Sequence, residues 1–157
     1  MEDNITYKAM MSAFVKNASD PQPSEMEKEA ADKTLAITDI LSVSANIKAM
    51  HVKTGRYSQH MALDQAFDDL NSALDGFCEC VQGHYIYTNG GSGLKLDNSE
   101  VTFKLPSDDG VPKACRELFD KFKLASDYLV KGVSPLVSVQ DDVLNCFYRL
   151  FYRLNLK

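Results

Sequence analysis

Five side chains in the middle of the chain are of the types that hold divalent cations: His51, His60, Asp64, Asp75 and Glu79. Imidazole with carboxylate is the donor set that suits iron and similar ions. In such a set carboxylates neutralise charge, imidazoles tune the ion, and open coordination positions admit an oxidant. His60/Asp64 and Asp75/Glu79 are each four residues apart, so on a helix the members of a pair project from neighbouring turns of one face. The two pairs stand eleven residues apart, which is about 16 Å along a helix axis. One helix cannot close both pairs around a single ion. A second copy running antiparallel across a two-fold axis could bring the first pair of one subunit to the second pair of the other. The spacing points to a metal site shared between subunits.

The elements that must carry these residues follow from the apolar pattern. Asn4 to about Asn17 has the form of a short leading helix, broken by Asp20-Pro-Gln-Pro-Ser24. Ser24-x-x-Glu27 has capping-box form, and a long helix is expected from there to about Thr54. Leu35, Ile37, Ile40, Leu41, Ser44, Ile47 and His51 lie near one face of it, and Gly55 ends it. Ser58 can cap the next helix, to Val81 or Gln82, with a stripe of Leu63, Phe67, Leu70, Leu74, Phe77 and Val81. His60, Asp64, Asp75 and Glu79 fill a separate sector of about 100° beside that stripe, where a subunit interface would lie. Gly83 opens a different region. Tyr85-Ile-Tyr87, Asn89-Gly-Gly-Ser-Gly93 and Glu100–Leu105 suggest a small hairpin or an ordered loop. Two more helices are expected, one from about Pro112 to Val130 and one from Ser134-Pro135 onward. The expectation is an all-α four-helix bundle over residues 1–157, with a short N-terminal helix and a loop or hairpin insertion at about 84–111.

Other motifs carry less chemistry. Asp68 and Asp69 are candidate auxiliary carboxylates, with a solvated helix face as the plainer reading. Cys78 and Cys80, two apart, point away from each other on a helix and cannot chelate together; they read as small buried residues. The glycine run at 90–93 lacks a P-loop lysine and reads as a turn. No Ser or Cys has an assignable His partner, so no catalytic residue is expected beyond the metal ligands.

The 157 residues, 45% hydrophobic and 25% charged, suit one ordinary globular domain. A net charge of −5 counts against DNA binding. No apolar run approaches the length of a membrane span, and the start lacks a secretory pattern. Four cysteines are then expected as free thiols in a cytoplasmic setting.

The segment Ser44–Tyr85 resembles the Dps branch of the ferritin-like superfamily. His51, His60, Asp64, Asp75 and Glu79 match that family's ligand order, and Lys53-Thr-Gly55 matches its short inter-helix link. Gln82-Gly83-His84-Tyr85 and the aromatic- and Leu-rich stretch Asn145–Leu156 are similar to small Dps-like proteins of bacteriophages. Two departures stand out: the interval from His51 to His60 is a few residues shorter than is typical, and Val52 stands where Trp is common. The resemblance implies two-fold dimers assembled into a hollow dodecamer that oxidises ferrous iron with peroxide or oxygen and stores ferric mineral. The five residues would be the metal ligands and iron the ion, in the host cytoplasm if phage-encoded. The alternative is a non-enzymatic phage accessory protein that keeps the scaffold and binds a host protein or a small ligand.

Overall fold

The computed structural model describes residues 25–94 and 100–156. The expected leading helix, Ser24 and the side chain of Leu35 lie outside the described residues. Four long helices carry the fold: α1 (Glu25–Lys53), α2 (Tyr57–Thr88), α3 (Val111–Val130) and α4 (Ser134–Leu154). A 3₁₀ turn, Asp108–Gly110, leads into α3. No strand occurs among the described residues, and no helix there is long and apolar enough to cross a membrane.

Each helix buries the stripe its spacing dictates. On α2, Leu63, Leu70, Leu74, Phe77 and Val81 are buried and Phe67 packs at the edge of the core, as expected. On α1, Ile37, Ile40, Ile47 and His51 are buried, joined by Val43 and Met50. Leu41 departs from expectation and is 42% exposed, because Ile40, Val43 and Ile47 define the inward sector and Leu41, one residue past Ile40, is turned about 100° away from Ile40. Phe77 meets Phe122 edge-on at 5.6 Å, and Phe119 meets Phe147 at 5.5 Å. These offset ring geometries lock α2, α3 and α4 together at the centre.

Cross-links fix the threading. Asp39 of α1 pairs with Lys121 of α3 at 2.8 Å, while Thr54 beyond the far end of α1 bonds Asp108 ahead of α3. These helices therefore run antiparallel. Asp69 of α2 meets Cys146 and Arg153 of α4, and Gln140 of α4 reaches back to Ser126 of α3 at 2.7 Å. The order around the bundle is α1, α2, α4, α3, with α1–α2 and α3–α4 joined by short links. The connection from α2 to α3 returns along the bundle to the level of the α1–α2 link.

Two sequence expectations change here. Tyr85-Ile-Tyr87 is the last turn of α2 rather than the start of a hairpin or insertion. Its alternation is three residues long, and Tyr85 also continues the four-residue step from Val81. The true stop lies at Asn89-Gly90-Gly91: Asn89 N–H donates to Tyr85 O, Gly91 N–H donates to Ile86 O, and Gly90 sits at φ +66°. That is a left-handed helix end, which glycine adopts without strain. Gly55, in contrast, has no positive φ; α1 ends because the Asp108 carboxylate accepts from the Thr54 hydroxyl and from Gly55 N–H. The returning segment is pinned by buried Asn46, whose side chain accepts from Lys104 N–H at 3.2 Å and donates to Thr102 O at 3.4 Å.

Candidate metal centre

His51 is in the last turn of α1 and His60 in the first turn of α2. The short link between them folds the two imidazoles onto each other, with centroids 4.0 Å apart and planes tilted by 32°. Their hydrogen bonds are reciprocal. His51 Nδ1 lies 3.2 Å from His60 O, and His60 Nδ1 lies 3.1 Å from His51 O. A carbonyl oxygen only accepts, so each Nδ1 carries the proton and donates. In the neutral rings the lone pair is then on Nε2. Backbone carbonyls holding Nδ1–H are how metal-binding histidines are fixed in one tautomer.

Asp64, one turn after His60 on α2, places Oδ1 3.5 Å from His51 Nε2. Two acceptor atoms thus face one another. A positive charge completes the arrangement: a second ring proton, a cation, or the ammonium of Lys48, whose Nζ is also 3.5 Å from Asp64 Oδ1. Lys48 rests over the Phe67 ring at 4.7 Å. Both members of the Lys48–Asp64 pair are nearly half exposed, so the pair contributes well under about 1 kcal/mol and is readily displaced.

The other two candidates are elsewhere. Asp75 and Glu79 are exposed on α2, about three turns further along. Neither has an ion pair or hydrogen bond among the described residues. Three of the five expected ligands are therefore neighbours and two are apart. Within one chain, no three His, Cys, Asp or Glu side chains among the described residues converge closely enough to enclose an ion.

Of the auxiliary carboxylates, Asp69 is held by Arg153 at 3.3 Å and Arg149 at 4.0 Å. Asp68 stays exposed. It lines a groove of about 440 Å³ with Ser58, Met61, Asp64, Arg153 and Leu156. Of the two cysteines expected to be buried, Cys78 is half-buried but Cys80 is exposed, since the two-residue step turns it out of the core. Burial, helped by the charge of Asp75, pushes the Cys78 thiol up to about 11, and burial alone pushes Cys115 up to about 12. Neither is a thiolate ligand near neutral pH.

Lys48 and the groups that hold the α1–α2 link were not singled out from sequence. Lys48 had a local signal, standing three residues before His51 and so one turn away on the same helix. The holding groups, Asp108 among them, are distant in sequence and had none.

No curated protein and no solved structure matches this chain. One family model does, over residues 51–154. The match opens at His51 and takes in all five candidate ligands along with the whole of α2, α3 and α4. A match over well more than half its length means that the chain belongs to the Family of unknown function (DUF5856).

Proposed function

We propose that the protein is a Dps-like member of the ferritin-like superfamily that binds ferrous iron between two of its copies and oxidises it. The observation that carries this reading is the reciprocal histidine pair, because it holds both Nδ1–H groups on backbone carbonyls and leaves His51 Nε2 facing the Asp64 carboxylate. His51, His60 and Asp64 of one subunit supply half of the donor set. Asp75 and Glu79 of a two-fold mate supply the rest. The threading adds support, since a four-helix bundle with a single long crossover is the ferritin-like arrangement. So does the lack of partners at Asp75 and Glu79 among the described residues, which leaves them available to another copy.

Iron is the substrate in this reading. Ferrous ions give up one electron each, and one peroxide accepts two electrons and two protons to leave as two waters. The protein's part is to hold the ions, neutralise them and present them to peroxide. Closed two-fold pairs, assembled to a dodecamer, complete the proposal.

Anaerobic titration with ferrous iron, then peroxide, tests it. Saturable binding and a ferric absorbance are expected, both lost in His60→Ala/Asp64→Ala with helicity intact. A particle that stays monomeric at micromolar concentration sinks the shared site. A second reading, a non-enzymatic accessory protein binding a host protein, is favoured by one observation: Val101, Phe103 and Leu105 of the returning segment are 38%, 52% and 47% exposed. Absent iron binding together with capture of a partner on that ridge would select it.

A further inference from the structure

The α1–α2 link is held from outside by the segment that leads into α3. Thr54 donates its hydroxyl proton to Asp108 Oδ1 at 3.0 Å, with Gln59 Oε1 a second acceptor at 3.1 Å. Gly55 N–H donates to the same Asp108 oxygen at 3.3 Å. Gln59, 8% exposed, donates its amide to Asp108 O at 2.9 Å. Arg56 adds Asp109 on the surface, and Lys53 caps Leu105 O and Pro106 O at 2.8 and 2.6 Å. Every residue from Lys53 to Arg56, and then Gln59, is bonded within this cluster.

The histidines sit on the two sides of that link. His51 O belongs to the last turn of α1, where carbonyls have no partner in their own helix, and His60 Nδ1–H fills the vacancy. The reciprocal bond closes only if the end of α1 and the start of α2 keep one separation and one rotation. With so short a link, a small rotation at Thr54 or Gly55 swings both rings.

We propose that Asp108 is the positioning residue of the metal centre: it acts through Thr54, Gly55 and Gln59 to hold His51 and His60 in their Nδ1–H tautomers with Nε2 presented for the ion. Neither Asp108 nor Gln59 is a ligand. The inference rests on the proposed metal reading, but its first readout does not need metal. It ties the arrival of the crossover to the completion of the site, so a chain with misdocked 100–107 is not competent to bind.

The test compares the full-length wild type with Asp108→Ala, Asp108→Asn, Thr54→Val and Asp39→Ala. The last breaks the Asp39–Lys121 ion pair at another point of the α1–α3 contact. Imidazole nitrogen chemical shifts of the metal-free proteins give the tautomers, and anaerobic cobalt(II) titration followed by visible absorbance gives affinity. Wild type is expected to show two Nδ1–H rings. Asp108→Ala and Thr54→Val are expected to show mixed tautomers and cobalt(II) binding weakened about tenfold. Asp108→Asn, whose amide oxygen accepts the same two bonds, restores both. Asp39→Ala loses thermal stability with tautomers and affinity unchanged. Wild-type tautomers and affinity in both Asp108→Ala and Thr54→Val overturn the positioning role. Wild type that shows the tautomers but takes up no cobalt(II) overturns the metal reading instead, and the tautomers of the variants still decide the role of Asp108.

Discussion

The two clusters of ligand-type residues on α2 are built in opposite ways. The upstream corner is tied up internally: His51 and His60 hold each other's backbone, and Asp64 is shared by His51 and Lys48. The downstream pair, Asp75 and Glu79, is exposed and unanswered among the described residues. Ordinary surface design tends to do the reverse, balancing exposed carboxylates with lysines one turn away. The contrast teaches that folding alone orients the two imidazoles, whereas the two carboxylates stay solvated; on the proposed metal reading, a neighbouring copy would deliver that second half.

The sharpest way to break that comparison is to split the clusters between two chains. His60→Ala/Asp64→Ala and Asp75→Asn/Glu79→Gln are each expected to bind no iron alone. Refolded together in equal amounts, they are expected to recover about a quarter of wild-type capacity, because half of the pairs are mixed and each mixed pair has one intact site. Recovery of nothing would place the two clusters in unrelated roles. Next in size is stability. His51→Ala removes a buried ring and leaves His60 without its carbonyl-bound partner, at a cost of about 2–3 kcal/mol. Asp75→Asn is expected within about 0.5 kcal/mol of wild type. Urea unfolding of the metal-free proteins measures both.

A smaller effect reports on the downstream pair directly. Burial first, and the Asp75 charge second, raise the Cys78 thiol. Asp75→Asn removes the second cause, so alkylation of Cys78 at pH 9 is expected to quicken about threefold. Cys80 reacts fastest in either protein and Cys115 stays silent until unfolding. Smallest of all is Asp127, a carboxylate answered within its own chain. Its side-chain bond from Lys123, then that from Gln140, hold it below its ordinary value of 3.8. A lowered folded pKa means stability that is full above 3.8 and lost as pH falls through the lowered value. Asp127→Asn is therefore expected to cost less than about 0.5 kcal/mol at pH 7, given its exposure, and progressively less as pH falls through the lowered value.

Much of the scaffold could be read from residues alone, because three- and four-residue steps such as Leu63–Phe67–Leu70–Leu74 leave a helix only one way to face the core. The helix link, the position of His51 and the separation of the two clusters followed from spacing in the same way. What escaped has a common cause. Tyr85–Tyr87 was too short to tell a helix end from a strand. The Asp69–Arg153 bridge and the Asp108 contacts join residues 84 and 53–54 positions apart, and no local pattern encodes a partner that far away. The exposed turn of Cys80 was within reach of the same periodicity that separated it from Cys78.

The long crossover has a consequence for how the molecule comes into being. Its broadest helix contact, α2 against α4, joins residues such as Asp69 and Cys146, 77 positions apart, so the first half of the chain must wait for the last to be synthesised. Neither helical hairpin owns a finished core. Cleaved in the crossover, the two pieces are expected to be unfolded alone and to fold on mixing, as strangers that recognise each other only through their shared interior.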